Sequence, residues 1–186
     1  SAVKMRKTQT TALAGRSYAR AALSILARLS GTEHVAKHPL SQHREYKRVA
    51  LVVMTSDKGL AGALNSSVLK KAVESVSEFK PEQVSVYAYG KKADEYFSRR
   101  GYDVVARYEN KNDTIEIETM EELSNELTRA FLATEFDKVT VVYSNFKSTF
   151  EQIATERRLL PLSMGALNDI VAGIIPVKGK FSEIKE

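Results

Sequence analysis

The chain has 186 residues, 43% of them hydrophobic, a net charge of +5 and no cysteine. That length suits one domain with an appendage, and the missing thiols exclude disulfides, thiolate catalysis and cysteine-ligated zinc. No apolar run is long enough to span a bilayer, and Lys4, Arg6 and Lys7 lead into polar residues rather than the apolar core of a signal peptide.

The charge is unevenly spread. Residues 1–48 carry ten Lys/Arg against only Glu33 and Glu45, a net of +8, which leaves −3 for residues 49–186. A basic arm on a mildly acidic body suits a negative partner such as nucleic acid, anionic lipid or an acidic protein surface, or is simply a solvated helix face. Within the arm, 11–29 lacks proline and is rich in Ala and Leu, which predicts a helix. Tyr18, Ala22, Ile25 and Leu29 recur every three or four residues, a narrow seam of the coiled-coil type. So thin a stripe is marginal alone. It packs on its own sheet or on a helix outside this chain.

Gly31 and Pro39 bracket a polar stretch that holds His34, His38 and His43. His-x-x-x-His can ligate a metal on a helix, but Pro39 disfavours a helical His38. A loop is the expectation here, with no metal and no cofactor.

The body alternates strand and helix patterns. Strands are expected at 48–55, 83–89, 102–107 and 138–144, and helices at 62–78, 91–100 and 120–134. That rhythm implies βαβ units and a mostly parallel sheet. Thr114–Glu118 alternates isoleucine with polar and acidic residues, as an exposed edge strand would. Residues 150–160 end at Pro161 and can pair antiparallel with the preceding strand.

Between the first strand and its helix lies Ser56-Asp57-Lys58-Gly59-Leu60-Ala61-Gly62-Ala63-Leu64-Asn65. A phosphate-binding P-loop needs Gly-Lys-Ser/Thr after a four-residue gap, and a dinucleotide fingerprint needs Gly-x-Gly-x-x-Gly. Gly59 and Gly62 supply only Gly-x-x-Gly, and Lys58 precedes its glycine. Ser56 or Asp57 is expected to cap the helix that follows. No nucleophile–base pair can be assembled elsewhere, so catalysis is not expected.

This turn resembles the Ser/Thr-Asp-Arg-Gly-Leu-Cys-Gly-x-x-Asn turn of the gamma subunit of F-type ATP synthases. Ser1–Lys7, Lys37-His38-Pro39, Tyr89–Lys92, Arg99–Tyr102, Tyr143–Ser148, Gln152 and Leu159-Leu160-Pro161 resemble further segments of that family in order. Lys58 stands for the usual arginine and Ala61 for the usual cysteine. The resemblance implies an open, mostly parallel, Rossmann-like α/β sheet flanked by helices, with a coiled-coil-type N-terminal helix and an antiparallel edge hairpin. It implies part of a stalk helix at 1–29, a basic linker or foot loop at 30–48, a head at 49–165 and a tail at 166–186 leading towards a second stalk helix beyond Glu186.

The implied function is that of a non-catalytic central-stalk rotor subunit of a proton-translocating ATP synthase. It would couple rotation of the membrane c ring to ATP synthesis in the alpha/beta hexamer, with the epsilon subunit as a further partner. Membrane contact would come only through the complex, at the cytoplasmic face of the bacterial inner membrane in preference to the mitochondrial matrix side. Ser56, Asp57, Lys58, Gly59, Leu60, Gly62 and Asn65 form the family turn. Lys4, Arg6, Lys7, Arg16 and Arg20 would face partners, and Gly31, Lys37, His38 and Pro39 the foot. The alternatives are a nucleotide-binding α/β enzyme and a nucleic-acid-binding protein using the basic arm. The arm lacks the interleaved aromatics that single strands require.

Overall fold

Val49–Met54 is an almost unbroken apolar run, and a strand can be apolar on both sides only if both its faces are covered. The computed structural model describes residues 33–57, 63–110, 116–148 and 151–174. In it this run is β1, the middle of five strands. In chain order the elements are α1 (Glu33–Lys37), a 3₁₀ turn (Pro39–Ser41), β1 (Val49–Met54), α2 (Ala63–Ser75), β2 (Val84–Tyr89), α3 (Lys91–Ser98), β3 (Asp103–Tyr108), α4 (Ile117–Leu132), β4 (Lys138–Ser148), β5 (Glu151–Leu160) and α5 (Met164–Ile174). A second short 3₁₀ turn, Pro81–Gln83, leads into β2.

The described residues fall into two units, one of 38–162 and the other holding 33–37 and 163–174. In the larger unit the sheet runs β3-β2-β1-β4-β5. β1 pairs parallel with β2 and β4, β2 parallel with β3, and β5 antiparallel with β4. The period-two alternation of a strand sorts β1 between two cores. Val49, Leu51 and Val53 share one core with Val68, Leu69 and Ala72 of α2 and Phe97 of α3. Ala50 and Val52 share the other with Leu123, Leu127, Ala130 and Phe131 of α4. Each fully buried Val, Leu or Phe contributes about 1.5–3 kcal/mol, so these two layers set the orientation of every strand end.

The expected strands and helices match to within a few residues, except that β4 runs on to Ser148 to make a long hairpin. One expectation fails. Ile117 and Glu118 are not an edge strand but the first turn of α4. Met120, Leu123, Leu127 and Ala130 extend a helical stripe back into this segment, and an acid in the first turn is favoured by the helix dipole. Positions 114 and 115 lie outside the described residues.

In the smaller unit, α1 occupies part of the expected loop, and α5 is a helix that periodicity alone did not announce. The signal for α5 is Ser163, whose Oγ accepts from the Ala166 backbone N–H at 3.1 Å as a helix cap.

Candidate functional site at the carboxyl edge of the sheet

In open α/β sheets ligands bind outside the carboxyl ends of the strands, where the strand order reverses. Here β1 lies between β2 and β4, so that place is the segment Thr55-Ser56-Asp57 that follows β1. Its backbone continues the ladder, with the Thr55 N–H donating to the Tyr89 carbonyl at 2.8 Å. The Thr55 hydroxyl accepts from the Ala93 N–H at 3.0 Å, inside the first turn of α3. Asp57 reaches further. Its Oδ1 accepts from the Lys91 N–H at 2.9 Å and its Oδ2 from the Asn110 N–H at 2.9 Å. Asn110 closes the ring by donating its side-chain amide to the Thr55 carbonyl at 3.3 Å.

Gly90 is required where the ring is tightest. Its φ is +92°, and a Cβ there would overlap the Thr55 carbonyl oxygen. The Gly90 N–H in turn donates to the Tyr108 carbonyl at 2.8 Å. Asn65, early in α2, accepts from the Ser56 N–H at 3.1 Å and donates to the Ser56 hydroxyl at 2.9 Å. One short segment thus fastens the ends of β1, β2 and β3 to the starts of α2 and α3.

The residues just before Ala63, where the helix that follows Asp57 in sequence starts, lie outside the described residues, and Asp57 itself caps the start of α3. The physical reason is the parallel sheet, which sets the start of α3 beside the end of β1. The arrangement also bears on chemistry. The N-terminus of α3 is an anion-binding position, and here the chain's own carboxylate is bonded to it. Below the ring, Tyr89 and Tyr108 stack with centroids 6.1 Å apart. Burial raises both phenol pKa values, with negative charge from Glu116 adding for Tyr89 and from Glu126 for Tyr108. Tyr87 is pushed up further, by burial first and then by Glu126, to which its hydroxyl donates at 3.1 Å.

The opposite edge of the sheet has its own fastening. Buried Asp137 accepts from the Lys47 and Arg48 N–H groups, each at 3.0 Å. Arg44 lies 3.9 Å from the other oxygen, donates to the Phe131 and Phe136 carbonyls and stacks on the Phe131 ring. Close by, the Leu162 N–H donates to the Leu40 carbonyl at 2.7 Å, tying the two ends of this unit together.

Of the residues singled out from sequence, the structure brings together Ser56, Asp57 and Asn65. Lys58, Gly59, Leu60 and Gly62 lie outside the described residues, as do Gly31, the seam Tyr18, Ala22, Ile25 and Leu29, and the basic Lys4, Arg6, Lys7, Arg16 and Arg20. Lys37 ends α1. His38 is extended, with ψ of 137°, and its Nδ1 accepts from the Leu40 N–H as the cap of the turn that Pro39 opens. His43 stacks on Tyr46. Among the described residues no three His, Cys, Asp or Glu gather as metal ligands. Sequence reasoning missed Thr55, Gly90 and Asn110 as members of the ring.

A family model described as ATP synthase matches residues 1–182. The chain is similar to the ATP synthase gamma chain of Pelotomaculum thermopropionicum, 35% identical over 87% of this chain and 56% of that one. It is also similar to the gamma chain of Synechocystis, 32% identical over 100% and 61% respectively. Against the curated relatives first matched, the chain spans 53–61% of their length. Its fold is similar to a chain in the central stalk and c ring of the Tetrahymena thermophila mitochondrial ATP synthase, with a TM-score of 0.58 at 20% identity, covering 92% of this chain and 79% of that one.

Proposed function

The chain belongs to the ATP synthase family, among its gamma chains, and from that premise we propose that it is the head-bearing part of a central-stalk rotor subunit. In this reading it couples rotation of a membrane c ring to ATP synthesis in an alpha/beta hexamer. The head rests on the ring and binds the epsilon subunit, and the segment at 1–29 belongs to the shaft. The subunit is peripheral, at the cytoplasmic face of a bacterial inner membrane. Among the described residues no helix is long and apolar enough to cross a membrane. Lys4, Arg6, Lys7, Arg16 and Arg20 face the partners, and Gly31, Lys37, His38 and Pro39 contribute to the foot.

The observation that carries a mechanical rather than a catalytic role is the Asp57 ring. A nucleotide at the carboxyl edge would have to displace a carboxylate that already binds two N–H groups, and would meet its negative charge. Torque transmission asks for a head that resists local shearing, and a ring joining three strands to two helices serves that end.

The test is mass spectrometry of what copurifies with the protein from its native membranes. Alpha, beta, epsilon and c subunits are expected. Recovery with none of them would overturn the rotor reading.

A further inference from the structure

Among the described residues β3 ends the sheet, with β2 on one side and no strand on the other. Such a margin is a ready template for a strand of another chain, because its outward backbone groups have no ladder to join. Two bonds show which groups point outward. The Gly90 N–H donates to the Tyr108 carbonyl, and the Tyr89 carbonyl accepts from the Thr55 N–H. Even-numbered residues of β2 therefore turn their backbone towards β3, and odd-numbered ones towards β1. In a parallel pair, a residue that faces the neighbouring strand bonds to the residues on either side of its partner. Val86 faces β3 and its partner is Val104, so the Val104 carbonyl points out to the free margin.

That carbonyl is covered. A terminal nitrogen of Arg107 donates to it at 2.8 Å, while the Arg107 Nε donates to Asp94 of α3 at 2.9 Å. The Ser98 hydroxyl donates to the same Asp94 oxygen at 2.8 Å. The planar fork of arginine serves both acceptors at once, which the point charge of a lysine does less well. The ion pair is exposed and adds little to stability; what distinguishes it is its position across the margin. The register also slips here, Val86 pairing with Val104 but Tyr87 with Ala106, so Val105 is an extra residue that twists the edge. On the strand at the other margin, Arg157 likewise donates to a carbonyl of its own strand, that of Glu156, at 3.3 Å. The sequence of β3 shows what the cover shuts out. Asp103 and Arg107 put opposite charges towards its two ends, with Val105 45% exposed between them. An antiparallel second copy would set unlike charges face to face.

We propose that Arg107, held by Asp94, is a latch that keeps β3 from pairing with β3 of a second copy. The latch is independent of the rotor reading. Its test is sedimentation velocity of the full 186-residue chain over a range of concentrations, at fixed ionic strength so that screening is constant. Arg107→Ala should self-associate at concentrations about tenfold lower than the unmodified chain needs, with Arg107→Lys between the two. Asp94→Asn leaves Arg107 in place but removes the charge that holds it. It should move in the same direction, and it keeps the test valid if Arg107→Ala does not fold. Hydrogen exchange on the associated form should show the Val104 N–H newly protected, since it points outward with its carbonyl. Arg99→Ala, which removes an exposed charge at the end of α3, should associate no more than the unmodified chain. The same holds for Asp137→Ala, which weakens the opposite edge of the sheet and so separates an opened margin from mere loss of stability. Association of the latch variants no stronger than that of the unmodified chain, equal association in either control, or an unprotected Val104 N–H in the associated form overturns the proposal.

Discussion

A methyl group at position 90 would overlap the Thr55 carbonyl and force an L-residue into a left-handed backbone at φ +92°. Both costs apply together, so Gly90→Ala should destabilise the head by about 3 kcal/mol, read as a lower urea midpoint. Asp57→Ala leaves the Lys91 and Asn110 N–H groups without their charged acceptor and should cost a similar amount, about 2–4 kcal/mol. Asp57→Asn keeps one acceptor oxygen and should lose roughly half as much. Equal stability of Asp57→Ala and the unmodified protein would show the ring to be ornamental. This ring was only partly legible in the sequence. Asp57 and Asn65 stand out as polar residues in a glycine turn. Their partners are backbone N–H groups 34 and 53 residues away, and an N–H group carries no side-chain signature.

Where whole elements meet, buried acids and phenols decide how the layers respond to substitution and to pH. Asp137→Ala removes the acceptor of two backbone N–H groups and the carboxylate beside Arg44, which should cost about 3–5 kcal/mol in denaturation. The tyrosines of β2 and β3 give the alkaline limit. Folding raises the Tyr87, Tyr89 and Tyr108 pKa values above the ordinary 10.0, so the native state holds protons that the unfolded chain gives up. Their contribution is fully present below about pH 10 and is lost as pH rises above it. The urea midpoint should therefore fall above about pH 10, and Tyr87→Phe should make that fall shallower. An identical alkaline slope in the variant would reject this account. The strands were readable because β1, β2 and β4 are apolar on both faces, which no helix of that length with valine repeated would favour. The start of α4 was misread because five alternating residues fit a strand as well as a helix turn. α5 was missed because Gly165 and Gly173 weaken its pattern, and only Ser163 marks its start.

For the whole molecule, family membership was legible because several motifs occur in one order along the chain, which no single partial glycine motif could establish. The proposed partner-facing cations belong to this scale. Exposed single pairs contribute about 0–1 kcal/mol each, so neutralising only one of Lys4, Arg6, Lys7, Arg16 and Arg20 should leave assembly with the hexamer nearly unchanged. Changing all five to glutamine should weaken it clearly at low salt and much less at high salt, measured by co-sedimentation. A loss independent of salt would speak against an electrostatic role. The Leu40–Leu162 bond has a mechanical consequence. Ala50 at the start of β1 pairs with Val139, and Val139 pairs with Leu160 at the end of β5. The chain therefore comes into the sheet and goes out of it along one margin, with a single strand between the two crossings. A couple applied there turns the sheet as one lever. At the far margin the Asp57 ring keeps the strand ends and helix starts from shearing past one another under that couple, so weakening it should lower the melting point and the torsional stiffness of the head together.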